Sequence, residues 1–323
     1  MEQYRLALDG AIADRKANDI TGPIAPKFGT YRWLCMLYFS SGEYRQLAPQ
    51  TRKTRRRILE LTWDEPIEPE SKTLFADFPL QRMTTKAIRV LRDRKADYPA
   101  AANNRLKAIR QVFSYGLQAE PDLVKINPVR DVPKLRISGN GFHSWEISEV
   151  EQFEEHHPIG TKARLALALL LYTGQRRSDI VQFGRQHIRD GWLKFTQHKN
   201  RNKNPVTLEI PVHPDLSNII EASPVGDLTF LVTDYGQPFT SNGFGNRFRK
   251  WCDEAGLSQC SAHGLRKAMS TRLAESGASD RQIMAVTGHK TSKEVDRYVR
   301  AAQQKVLAKS AIPLLTKADK DRK

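Results

Sequence analysis

Three cysteines in 323 residues leave little scope for disulfide or thiolate chemistry. Cys35, Cys252 and Cys260 are odd in number, scattered and unlike any zinc spacing, which fits a reducing cytosol. No unbroken apolar run is long enough to cross a bilayer, and Met1 opens no signal-peptide pattern, so no membrane partner is expected. The eight histidines offer no metal spacing either; the pair His156-His157 closes a polar helix and reads as a solvated helix end. Acidic residues are scarce, 36 Asp and Glu against 52 Lys and Arg, which leaves a formal charge of +16. A surplus of that size favours a polyanionic partner. The length is enough for two domains, each able to bury a core.

Residues 1–20 read as a short helix with a polar exit. Residues 21–136 read as an all-helical domain that carries 22 Lys and Arg against 12 Asp and Glu, most of the surplus. Its helices are expected over 30–40, over 51–63 with Thr51 as N-cap, over 85–95, and over 100–118. Arg52, Arg55 and Arg56 share one side of the second helix. In the fourth, Ala102, Leu106, Ile109, Phe113 and Leu117 form an apolar stripe, with Asn104 and Lys107 opposite and Arg110 at the margin. Amides read adenine edges and cations hold phosphates, so these polar faces are expected to contact double-stranded DNA. Asn127-Pro128, Pro133 and a Ser-Gly-Asn-Gly run then stop helices, and a linker is expected at 137–144.

A second domain is expected over 145–300. It opens with an amphipathic helix (ISEVEQFEEHH) and an apolar one (ARLALALLLY) that ends in Thr173-Gly174-Gln175-Arg176-Arg177-Ser178-Asp179. DGWLKFTQHK and PVTLEIPVH alternate as the arms of a β-hairpin. A helix over 215–222 and LTFLVT, a buried strand or extended loop, come next. Another helix follows, capped by Ser241 or Asn242, with Arg247 near the DNA side. His263 and Arg266 lie three apart, on one face of a helix. Gly288-His289 follows an apolar run, and Tyr298 comes nine residues later, among Asp296, Arg297 and Arg300.

His-x-x-Arg, Gly-His and a Tyr, in that order, resemble the C-terminal signature of the tyrosine recombinases, the phage-integrase family. Thr173–Arg176 resembles the family's first catalytic box, with Gln175 in place of the more usual apolar residue. The resemblance implies a mainly α fold with a small antiparallel β-sheet: a SAM-like core-binding domain and a catalytic domain closing as a C-shaped clamp. It implies that Arg176 and Arg266 grip the scissile phosphate, with Arg177 a second candidate and Asp179 orienting one of the arginines. Tyr298 would be the nucleophile, His263 its base, and His289 a hydrogen-bond donor to the phosphate. Lys199, at the end of the hairpin's first strand, would protonate the leaving 5′ oxygen; Lys203 is the alternative, because the tip departs from the common Lys-Thr-Gly form. The product would be a 3′-phosphotyrosyl enzyme, made with no cofactor, metal or ATP.

The activity so implied is site-specific integration or excision of a phage or mobile element. The protein would work in the cytoplasm, associated with the nucleoid, as a homo-tetramer on attachment-site DNA, with an excisionase or DNA-bending protein as possible accessories. Residues 1–20 look too short for an arm-site domain, and the tail 301–323 would dock on a neighbouring subunit or on its own domain. Type IB topoisomerase-like nicking and resealing is the alternative within the same chemistry. A DNA-binding regulator without catalysis is the alternative outside it.

Overall fold

The computed structural model describes residues 25–138, 141–199, 201 and 204–318, apart from the side chains of 297, 298, 301–303, 305 and 315–318. The expected helix in 1–20, Lys203 and the last five residues lie outside that set. The chain divides into two compact units, Met1–Gly139 and Asn140–Lys323, and each has its own buried core.

The first unit is helical: α1 (Tyr31–Phe39), α2 (Gly42–Arg45), α3 (Pro49–Trp63), α4 (Thr85–Asp93) and α5 (Pro99–Ala119). Thr30 caps α1 by accepting from the Trp33 amide. α3 starts two residues before the expected Thr51 cap, because Pro49 has no N–H to lose in a first turn and its φ suits a helix. On α5, Ala102 is buried, Leu106, Ile109 and Phe113 are buried in one cluster with Tyr31, Leu34 and Ile88, and Leu117 at the end of the stripe is 36% exposed. Arg105 is buried in the same layer. It pairs with Glu65 at 2.7 Å and donates to the Leu91 carbonyl at 2.6 Å, so its charge is matched where it is desolvated.

The second unit runs α6 (Ile147–His156), α7 (Lys162–Thr173), α8 (Arg177–Ile180), β1 (Ile188–Arg189), β2 (Trp192–Thr196), β3 (Thr207–Pro211), α9 (Pro214–Glu221), α10 (Ser241–Glu254), α11 (Ala262–Glu275), α12 (Asp280–Thr287) and α13 (Ser292–Ala318). Its centre is α7, where Ala163 and every residue from Leu165 to Leu171 are buried. The sheet is antiparallel in the order β1-β2-β3, with Leu193 opposite Ile210 and Phe195 opposite Leu208. The two residues of β1 are too short to show alternation. Leu228–Thr233 forms no strand: Phe230 and Leu231 are buried, Leu228 is exposed, and Val232 makes a single bridge to Pro238. Thr240, not Ser241 or Asn242, caps α10 through the Gly243 amide.

His157 also departs from expectation. It is buried, donates from Nε2 to the Trp251 carbonyl at 3.0 Å and packs on Phe153, so it ties α6 to α10 rather than facing water. α13 is continuous past residue 300 and is held on α11 and α12 by Val295 and Val299, both buried with Ala274 and Ile283. Among the described residues no helix is long and apolar enough to cross a membrane.

Candidate active site

The site begins where α7 stops. Gly174 takes φ +60°, the left-handed turn that calls for glycine, and the end of the Met269 side chain lies where a Cβ would be. The chain reverses, and Arg176 stands half-buried at the N-cap of α8. Its Nη1 donates to the Gln197 Oε1 at 3.1 Å. Asp179, buried on α8, orients no arginine among the described contacts. Its Oδ1 instead accepts from the His198 amide at 2.7 Å, which holds the turn that carries the exposed Lys199.

α11 supplies His263 and Arg266 one helical turn apart. The Arg266 guanidinium is 3% exposed; Nη1 donates to the Gly174 carbonyl at 2.6 Å and Nη2 to the Thr287 carbonyl at 2.8 Å. α12 ends on the left-handed Gly288, φ +71°, and delivers His289 to the same guanidinium, with Nε2 3.1 Å from Nη2. The hydrogen bonds settle the imidazole tautomer. The Thr287 hydroxyl donates to the Ile283 carbonyl at 2.7 Å and so must accept from His289 Nδ1 at 2.8 Å. Nδ1 therefore carries the proton, and Nε2 accepts from Arg266. Burial and the Arg266 charge push the His289 pKa down to about 4. For His289 to donate to a phosphate, as the sequence suggests, Nε2 must first gain a proton, and an anion placed there favours that gain.

Arg176, Arg177, Arg249, His263 and Arg266 line one cavity of about 450 Å³. Partial burial, then the charges of Arg266, Arg176 and Lys199, lower the His263 pKa, which leaves a neutral ring able to take a proton at pH 7. The Phe142 ring lies on it, centroids 4.7 Å apart. Arg177 reaches across to Asn242 Oδ1 at 3.2 Å over Gly245, where a Cβ would sit 2.2 Å from its Nη1. The backbone of Tyr298 lies in α13, between Val295 and Val299; its side chain is outside the described residues.

Residues 143–305, half of the chain, match the model of the phage integrase family. The chain belongs to that family. It is 25% identical over 240 residues to the integrase of Enterobacteria phage 434, a stretch covering 69% of this chain and 65% of that protein. It is 29% identical over 188 residues to tyrosine recombinase XerC 2 of Ralstonia nicotianae, covering 54% of this chain and 51% of that one. The matches thus span between half and two thirds of these relatives' lengths. In fold it is similar to lambda integrase, solved as a tetramer bound to a Holliday junction: TM-score 0.68, 18% identity, 90% of this chain and 84% of that one.

The residues chosen from sequence for DNA contact are unevenly presented. Asn104 and Lys107 are exposed on α5 and Arg52 is half-buried on α3. Arg55 gives one donor to the Tyr38 hydroxyl, and Arg56 pairs with Glu60 at 2.6 Å above the Phe39 ring. Arg110 donates to the Val129 carbonyl at 3.0 Å and so fastens the chain after α5; Arg247 lies over the Trp251 ring. Those contacts use part of each side chain's capacity, since a guanidinium has five donors.

Sequence spacing also missed a clasp beside the site, His143, Glu149 and Cys260, whose ligand-type atoms lie within 4.8 Å of one another. Both Glu149 oxygens accept from His143, at 2.9 and 2.7 Å; Oε1 also accepts from Gln259 and Oε2 from the Glu146 amide. The group works as a hydrogen-bonded fastening of residue 143 to α6 and to the approach to α11.

The depressed His289 pKa has a consequence for stability. The unfolded imidazole binds a proton near pH 6.5 and the folded one only near pH 4. As pH falls through that window the unfolded state holds more protons, so folding stability falls; above pH 6.5 the contribution is fully present. The denaturant midpoint should therefore drop between pH 6.5 and 4 more steeply in the wild type than in His289→Gln. Parallel curves would contradict the assignment.

Proposed function

We propose that the chain is a site-specific recombinase that breaks and rejoins DNA through a 3′-phosphotyrosyl intermediate, integrating or excising a mobile element. The observation that carries this reading is the convergence of Arg176, His263, Arg266 and His289, from three separate segments of the chain, on one basic site in a member of this family. Phosphodiester cleavage needs a barrier reduction on the order of 20 kcal/mol. Two guanidiniums grip the non-bridging oxygens, where charge builds up on attack. His263 takes the phenol proton as the Tyr298 oxygen bonds to phosphorus; the bond to the 5′ oxygen breaks, and Lys199 supplies the proton that oxygen needs. Lys203 remains the other candidate for that proton. A 5′ hydroxyl from another strand reverses the steps and reseals without ATP.

In the same reading the first unit holds the core site through Asn104, Lys107 and the arginines of α3. The assembly is a tetramer, as in the lambda integrase complex, with α13 beyond residue 300 as a contact between subunits; excisionase or DNA-bending partners set direction. The test is a denaturing gel of protein mixed with end-labelled nicked duplexes spanning candidate element ends, without added metal or nucleotide. A slow, protease-sensitive band is expected. Binding should weaken with salt at a log–log slope of about −0.9 per phosphate neutralised. DNA bound at those ends with no covalent band would turn the reading to a regulator.

A further inference from the structure

We propose that Gln175 and Gln197 act as a buried amide pair that sets the separation of the two phosphate-gripping guanidiniums, which makes both of them positioning residues for strand cleavage. The proposal rests on the recombinase reading above and names what holds that site in register. Gln175 is 0% exposed and Gln197 2%. The Gln175 amide nitrogen donates to the Thr173 carbonyl at 2.9 Å and the Val286 carbonyl at 2.8 Å, and its Oε1 accepts from Gln197 Nε2 at 2.8 Å. Gln197 Nε2 has its second proton on the Thr287 carbonyl at 2.9 Å, and its Oε1 takes Arg176 Nη1 at 3.1 Å.

Each amide proton and each side-chain oxygen of the pair thus has a partner, and only one orientation satisfies them. Turning Gln197 over would set its NH₂ against the Arg176 guanidinium and its oxygen against two other oxygens. The chain of bonds ends where the chemistry begins. One end holds Arg176; the other meets the Thr287 carbonyl, which also accepts from Arg266 Nη2 at 2.8 Å.

Two further features point the same way. Gly288 leaves room for the contact, since a Cβ there would lie 2.6 Å from Gln197 Nε2. Gln197 also bonds through its backbone amide to the Val206 carbonyl across the hairpin, two residues before Lys199, so the proton donor's loop hangs on the same anchor. An apolar pair would fill this space without needing five hydrogen bonds. The polar pair fits a task that apolar contacts cannot perform, holding a guanidinium by direction.

The test is single-turnover cleavage of the nicked duplex, read beside DNA affinity and melting temperature. Gln197→Leu should slow cleavage about 100-fold, the scale of a 1 Å misplacement, with affinity little changed. Gln175→Leu/Gln197→Leu removes the Gln175 oxygen that the single variant strands but takes the donor from the Thr173 and Val286 carbonyls, so it should regain neither melting temperature nor cleavage rate. In an Arg176→Lys background Gln197→Leu should cost much less than it does alone, because its effect passes through Arg176. Recovery of cleavage in the double variant, or full additivity with Arg176→Lys, overturns the proposal. If the wild type forms no adduct, the recombinase reading fails instead. The amide pair is then judged by nitrogen NMR of Arg176, whose guanidinium rotation should be slow in the wild type and fast in Gln197→Leu; equal rates would overturn it.

Discussion

Tyr298→Phe is expected to remove the covalent protein–DNA band completely while DNA binding persists. Only one oxygen is lost, but in the proposed reaction it is the atom that bonds to phosphorus. A phenol of pKa about 10 is a poor nucleophile unless a neighbour accepts its proton and cations stabilise the phenolate. In the proposed reaction His263, with its lowered pKa, and the guanidiniums of Arg176 and Arg266 supply both conditions. The backbone at 298 is well anchored, with Val295 and Val299 buried and an Asp296–Arg300 ion pair at 2.6 Å on the same helix. The helix should therefore stand unaltered in the variant. The measurement is the denaturing gel beside a filter-binding curve, wild type and variant in parallel. A band of wild-type intensity from Tyr298→Phe would take the nucleophile away from Tyr298.

Arg266→Ala should be almost as severe, for two separate reasons. In the proposed reaction the guanidinium offers a fork to the charge that develops on the phosphate, and losing one such donor costs about 10²–10³ in rate. Its Nη1 also satisfies the buried Gly174 carbonyl, so alanine strips that acceptor at a cost of roughly 1–3 kcal/mol, while the Thr287 carbonyl keeps Gln197 Nε2. A fall in cleavage of at least about 10³-fold with a clear loss of melting temperature is expected. Arg266→Lys separates the two reasons. It keeps the charge, and with it most of the DNA affinity, but one ammonium cannot span both carbonyls and still present a planar fork. If Arg266→Lys cleaved at the wild-type rate, the fork would be dispensable and the charge alone would do the chemistry.

Much of this was legible in the chain itself where the signal is local. The α7 run from Ala163 to Leu171, the α5 stripe as far as Phe113 and the hairpin arms read correctly, because a continuous apolar run and a 3.6- or 2-residue period are both written in consecutive residues. Errors fell where a neighbour outvoted the local preference. Pro49 took the start of α3 from Thr51. His157 found the Trp251 carbonyl 94 positions away. Asp179 found a backbone amide beside Lys199 instead of an arginine. Gln175 looked like a mild departure within its motif, since its partner Gln197 lies on another element and no spacing rule joins them.

The sequence by itself determined the family, the order of the candidate groups and the sign of the chain's net charge. Those follow from residue types, short gaps and a sum of charges, none of which needs a third dimension. Only the tertiary structure decided the protonation of His289, the direction of the Arg266 fork and the linkage of Arg176 to Thr287 through two amides. Each of these depends on which donor meets which acceptor within about 3 Å, a distance at which hydrogen bonds discriminate and to which separation along the chain is blind.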